Sequence, residues 1–394
     1  MRAWGRRLLI FAAGAVGCWL LRPWAIQGGD WLLYVDEVLF AHRRPIFSLR
    51  EPGSTWLWQG MAWTVHVVDE GFFRDDPLSE RSITYRNLFK QPKFKKRDFP
   101  RRGPVRFLTQ GQIAVGFDLL GALSGGAYLA LLAAFLRDLG PASMARRSLA
   151  AVVVLTSAVT WNFVGHIEYY APLHPALLFF YWRALVYLRG PTPRGFAWLI
   201  AAAWITVFIH RVAVFHLPAL AVIFLAPAGR WGPRRPTRGE SLVMLTALIT
   251  TCALHAAAVL MASAIGRGPF LVIADYNWLP ELITPFSEEW RQYVIDHSRI
   301  GSIPIYTFGS ASHWNHFFFF IAVSSPLGLP IVVARARRLR RPEEIFLAAA
   351  AASAWLWAFF WHPHLGLLDW DLFSNPGIPT NLLAAALLVR DRPQ

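Results

Sequence analysis

Carboxylates are the residues most able to do chemistry in this chain, and their placement is uneven. Acidic residues number 24 against 39 basic ones. Asp30, Asp36, Glu37, Glu51, Glu168, Asp275, Asp369 and Asp371 fall in polar gaps between long apolar blocks, several within a few residues of a block's end. A carboxylate so placed can take a proton from an attacking hydroxyl, hold a metal, or anchor a polar substrate. In GDWLLYVDEVLFAHRR, a helical turn of about 100° per residue puts Asp30, Tyr34 and Glu37 on one narrow face. Trp31, Leu32, Val35, Val38 and Leu39 take the opposite face, and Asp36 points to the flank. Such a helix lies along a membrane surface with its carboxylates upward. Its acids read either as a general base with a supporting carboxylate or as an ordinary solvated face.

Two further runs gather polar side chains. GHIEYYAPLHP sets His166, Glu168, Tyr169 and Tyr170 in a short turn between apolar blocks. Tyrosines belong at membrane interfaces in any case, so the His–Glu pair carries the functional reading. HPHLGLLDWDLFSNPG offers two histidines with Asp369 and Asp371. Imidazole and carboxylate together suit zinc or manganese. The spacing matches no ligand motif, however, and substrate or phosphate contact is the broader reading. No cofactor is expected, and a divalent cation is the lesser alternative at this run. Asp118 sits inside an apolar block, where an ionisable residue is a functional candidate. His216 and His255 read as packed helix residues, and Arg22 and Arg183 as side chains that snorkel. Phosphate-loop, dinucleotide and nucleophile-elbow signatures are absent from the sequence, so nucleotide-driven transport has no support.

The elements that must hold these residues are membrane helices. The 394 residues are 55% hydrophobic and 16% charged, against about 25% charged in soluble domains. The net charge of +15 resides in the gaps between blocks, where topology signals belong, which argues against nucleic acid as a partner. A bilayer core takes about 20 apolar residues per helix. Long candidates are 8–26, 113–136, 148–164, 172–188, 241–265, 315–333 and 345–361, with shorter ones at 196–209, 212–226 and 378–389. The basic flanks on both sides of the pair around His210-Arg211 favour a hairpin there. Alternating the spans then puts six basic clusters, at the N-terminus and at 137–147, 189–194, 230–238, 335–341 and 390–392, on one side, giving about ten spans with both termini cytoplasmic. Residues 27–112 and 266–314 become two large extracytoplasmic loops of a single transmembrane domain. Within them, 54–68 is expected to lie at the interface, and a short helix is expected to start after Ser287. The basic tract 90–106 is a solvated loop or a holder of lipid phosphates. The two cysteines, Cys18 and Cys252, lie inside apolar blocks, which disfavours a disulfide or a metal site.

GDWLLYVDE, then LREPGSTWLW, GHIEYYAP and LDWDLFSNPG, in that order, resemble a bacterial group of GT-C-like membrane proteins. The wider plan, an N-in helix followed by an acidic outer loop on interfacial helices, is similar to that of the GT-C glycosyltransferase superfamily. The resemblance implies an all-α integral membrane protein of the bacterial cytoplasmic membrane, with its active site facing outward. It implies transfer of a sugar from a polyprenyl-phosphate-linked donor to a glycan, lipid or protein acceptor. Asp30, Asp36 and Glu37 become the candidates to act as base or to orient the acceptor. Arg50, Glu51, His166, Glu168, Tyr169, Arg211, Asp369 and Asp371 become candidates for the substrate pocket. A polymerase or ligase of lipid-linked glycans, and a transporter or flippase, are the alternative functions.

Overall fold

The computed structural model describes residues 2–21, 46–48, 52–68, 110–164, 170–225, 271–273, 283–297, 305–363 and 366–390, with scattered positions between 237 and 253. The helices are α1 (Arg2–Leu21), α2 (Pro52–Val68), α3 (Gln110–Asp138), α4 (Met144–Leu155), α5 (Leu173–Arg189), α6 (Pro193–Ile209) and α7 (Leu220–Leu225). Then come α8 (Glu288–His297), α9 (Ala311–Ser324), α10 (Gly328–Arg335), α11 (Pro342–Phe360), α12 (Trp370–Phe373) and α13 (Gly377–Arg390). Among the described residues the strands are two of three residues each, β1 (Ile46–Ser48) and β2 (Leu271–Ile273). Among the described residues, 4 helices are long and apolar enough to cross a membrane, or up to 5 if one bent pair counts as a span. That is the make-up of a polytopic membrane protein.

One end of the bundle is closed by arginines. Arg189, at the end of α5, forks onto Glu343 at 2.8 and 3.1 Å and also donates to the Asp138 carbonyl of α3. The Asp138 carboxylate accepts from Trp182 at 2.9 Å, and the Arg7 guanidinium lies 5.5 Å from the Trp182 ring. Arg390 of α13 reaches Glu344 at 2.8 Å, and Arg335 donates to the Leu387 carbonyl at 3.2 Å. The basic clusters at the N-terminus, after α3, after α5, after α10 and after α13 therefore converge. Glu343 and Glu344 sit in the first turn of α11, where the partial positive charge of the helix end favours carboxylates.

Helices approach closely where small residues let them. A Cβ on Gly126 of α3 would lie 2.5 Å from the Phe11 carbonyl oxygen, and one on Gly14 of α1 2.9 Å from Leu129. Without a hydrophobic drive between helices in lipid, this backbone proximity is a main source of association. The other side of α1 exposes Trp4, Leu8, Leu9, Val16, Leu20 and Leu21, as a lipid-facing side requires.

The chain reverses at His210, as the basic flanks predict. Thr206 of α6 donates to the Ala176 carbonyl of α5, and the His210 ring meets Tyr170 beyond it at 5.0 Å, tilted by 57°. His216 then lies deeper, beside Tyr181, with its Nδ1 hydrogen-bonded to the tyrosine hydroxyl at 2.5 Å. The short helix after Ser287 is also present as α8, with Ser287 accepting from the Trp290 N–H at 3.2 Å.

Two expected spans are interrupted. Residues 148–164 read as one helix, but α4 ends at Leu155, and Ser157 caps a separate 3-10 turn over Ala158–Phe163. Residues 315–333 also read as one span, but the helix pair Ala311–Ser324 and Gly328–Arg338 bends by 94°. Ser325-Pro326 interrupts the hydrogen-bond ladder, since proline has no N–H to give. Backbone exposed by such a break must find partners inside the protein. Here the Ser324 carbonyl accepts from Ser157 Oγ at 2.7 Å and Asn381 Nδ2 at 3.0 Å. The Ser325 hydroxyl donates to Asn381 Oδ1 at 2.6 Å, so one amide closes both sides of the break.

Candidate functional site

Asp30, Asp36, Glu37, Arg50, Glu51, His166, Glu168 and Tyr169 lie outside the described residues, as do the amphipathic helix expected around Asp30 and the segment 241–265 apart from scattered positions. What the structure does place are described segments of the two large loops and the turns between helices. β1 pairs in parallel with β2, Ile46 opposite Leu271 and Ser48 opposite Ile273, joining the first large loop to the second. Ile283 bridges Trp361, and Thr284 N–H donates to the Phe360 carbonyl at 2.8 Å, joining the second loop to the segment after α11. α2 begins just past Arg50-Glu51, and a Cβ on its Gly53 would lie 2.8 Å from Ile209 Cα, at the His210-Arg211 turn. Further along, α2 packs against α3, with Trp58 stacked on Phe117 at 4.9 Å. Segments far apart in sequence thus meet at the end of the bundle opposite the arginines.

Tyr306 is the centre of this end. Its ring lies 4.6 Å from His362, 4.9 Å from His316 and 5.9 Å from His313. It is 7% exposed. Burial first, and then the negative charge of Asp369, hold its hydroxyl well above the usual tyrosine range, so it stays protonated at neutral pH. Phe308, Phe359, Phe360 and Trp314 wall the same region, with Phe308 stacked on Phe360 at 5.5 Å.

The two histidines of α9 have different duties. His313 Nδ1 accepts from the Gly309 N–H at 2.9 Å, so Nε2 carries the proton and donates to the Phe359 carbonyl at 2.8 Å. Both nitrogens are consumed, and the ring ties α9 to α11. His316 instead donates from Nδ1 to the Ser312 carbonyl one turn back, at 2.7 Å. This bond makes Nε2 the unprotonated nitrogen of the neutral ring.

The two aspartates expected to act together part company. Asp369 lies close enough to charge the surroundings of Tyr306, whereas Asp371 is 5% exposed and accepts from the Leu372 N–H at 2.7 Å. Arg211 is half-buried and follows His210, whose Nδ1 accepts from the Val212 N–H at 3.1 Å and fixes the turn. Asp118 is half-buried on α3, next to the Phe117 ring that meets α2. Among the described residues, no three His, Cys, Asp or Glu side chains are grouped to hold a metal ion.

Sequence reasoning passed over Tyr306, His313 and His316. The signal was there for the histidines: Ser310 caps α9, and the i, i+3 spacing that follows puts both rings on one side of its first turns. Tyr306 carries no such local sign, since its neighbours come from α9 and from the segment after α11. Compared with family models, curated proteins and solved structures, the chain matches none.

Proposed function

We propose that this protein is a membrane glycosyltransferase. It moves a sugar from a polyprenyl-phosphate-linked donor to an acceptor at the outer face of the bacterial cytoplasmic membrane. In this reading about ten spans place both termini and the arginine-bearing end in the cytoplasm, and the Tyr306 end outside. A first-loop carboxylate, Asp30, Asp36 or Glu37, acts as base or orients the acceptor. Arg50 or Arg211 holds the leaving phosphate, a charge-assisted contact suited to a guanidinium. The lipid carrier brings an activated sugar, so no nucleotide is needed.

The observation that supports this reading is the convergence of the polar segments. The β1–β2 pairing, the Ile283–Trp361 bridge and the Tyr306 cluster gather three otherwise separate segments at one end. A transferase acting on a lipid-borne donor needs such a gathering at the membrane surface. The test is transfer in proteoliposomes. Purified protein is supplied with short-chain polyprenyl-phosphoryl mannose, glucose, galactose or arabinofuranose, together with envelope glycans and lipids. Covalent product that disappears with Asp30→Asn or Asp36→Asn supports the reading.

The 94° break in α9–α10 favours a second reading, transport, because discontinuous helices mark many transporter binding sites. Accumulation of labelled substrate inside vesicles without covalent product would select transport over transfer.

A further inference from the structure

We propose that His316 is the proton acceptor of the reaction, taking the proton of the acceptor hydroxyl at Nε2; this rests on the transferase reading above. Three observations carry it. Its Nδ1–H is committed to the Ser312 carbonyl at 2.7 Å, which leaves the lone pair on Nε2. The residue is only part-buried, whereas His313 on the same helix is 2% exposed. It stands 4.9 Å from Tyr306, in the neighbourhood of His362 and Asp369, where the convergent segments meet.

His313, three residues earlier on the same helix, supplies the contrast. Both of its nitrogens are spent on the backbone at 2.9 and 2.8 Å, so it can neither take nor give a proton without breaking the α9–α11 tie. Of the two, His316 alone combines a fixed tautomer with an unspent basic nitrogen. The proton acceptor thus comes from a helix, held by its own backbone, and the first-loop carboxylates are left to orient the acceptor.

The step balances as follows. The acceptor hydroxyl oxygen attacks the anomeric carbon while its proton passes to Nε2. The bond from that carbon to the donor's phosphate oxygen breaks, and its electron pair leaves with the polyprenyl phosphate. The imidazolium then returns its proton to the departing phosphate or to water. The titratable groups around Tyr306 and His316 are His313 on α9, His362 after α11 and Asp369 before α12.

Two measurements test this. Diethyl pyrocarbonate, which acylates accessible unprotonated imidazole nitrogens, should modify His316 at least about tenfold faster than His313 by peptide mass spectrometry. Polyprenyl-phosphoryl sugar in the bilayer should slow the His316 reaction. In the transfer assay, His316→Gln and His316→Asn should each lower kcat about 10²- to 10⁴-fold, the usual range for a lost acid–base group. KM should stay within about threefold, the acidic limb of the pH–rate profile should vanish, and free imidazole should restore part of the rate to His316→Ala. Equal labelling of the two histidines overturns the inference, whatever the activity. Wild-type transfer with both variants retaining most of their rate and the acidic limb also overturns it, while leaving the transferase reading standing. No transfer from any of the four donors by the wild-type protein removes the transferase reading and this inference together.

Discussion

Replacing Glu344 with alanine should be among the most damaging single changes at the arginine-bearing end. The side chain is 1% exposed, and its carboxylate accepts from Arg390 at 2.8 Å, from the Arg340 N–H at 2.9 Å and from the Arg341 N–H at 3.1 Å. Alanine removes all of these at once and leaves a guanidinium that is only 27% exposed without its carboxylate. Truncating one partner of a buried ion pair costs about 3–5 kcal/mol. The change also strips N–H groups at the start of α11, so about 4 kcal/mol is the working figure. For a chain of this length that corresponds to a fall of roughly 4–6 °C in apparent Tm. The assay is intrinsic tryptophan fluorescence of detergent-solubilised protein at a fixed scan rate, because membrane proteins of this size unfold irreversibly. Glu344→Gln keeps an oxygen for the backbone N–H groups and should lose about half as much. Arg390→Ala should overlap with Glu344→Ala, the double variant losing about 1–2 kcal/mol less than the sum. A shift below about 1 °C for Glu344→Ala, or strict additivity with Arg390→Ala, would refute the view that this pair locks α13 to α11.

Gly377→Ala should be poorly tolerated, because its Cβ would run into the Ser324 carbonyl, a backbone group that cannot swing away. A loss of about 1–3 kcal/mol is expected in the same assay, whereas Gly17→Ala, with nothing within 4 Å, should change little. Asn381→Leu, similar in volume, removes both the acceptor for Ser325 and a donor to Ser324, and should cost about 2–3 kcal/mol by leaving buried groups unsatisfied. Stability should fall as pH rises above about 10, because tyrosines of the unfolded chain then ionise while Tyr306 in the fold does not. Tyr306→Phe should flatten that alkaline fall, which chemical denaturation at a series of pH values can follow.

How much of this was legible in the sequence depends on how far away the deciding residues lie. The arginine clusters are local signals, and Arg7, Arg189, Arg335 and Arg390 do meet at one end. The reversal at His210 followed from its basic flanks, and the helix after Ser287 from its cap and first-turn acids. The break after Ser324 was hidden inside an apolar run. Ser325-Pro326 on its own reads as a mild kink, and the partners that sustain a sharp bend, Asn381 on α13 and Ser157 just past α4, lie elsewhere in the chain. Likewise nothing in SHWNH tells the two histidines apart. Gly309 and Phe359 do so, through contacts that exist only once α9 and α11 are packed. Asp369 and Asp371 looked equivalent at i, i+2, but the short α12 turns one inward and leaves the other near Tyr306.

The break also governs the order in which this protein can be made. A 14-residue α9 and an 8-residue α10 are each too short to settle across a bilayer unaided. The amide that reconciles them, Asn381, follows Ser325 by 56 residues. Until α13 has been made, the Ser324 carbonyl can accept from Ser157, but the Ser325 hydroxyl has no acceptor among the described residues. Chains stopped before Asn381 are then unfinished in the membrane as well as in length, and they would meet membrane quality-control proteases before completed molecules do. α13 therefore acts as a clamp that arrives late, closing a break made 56 residues earlier.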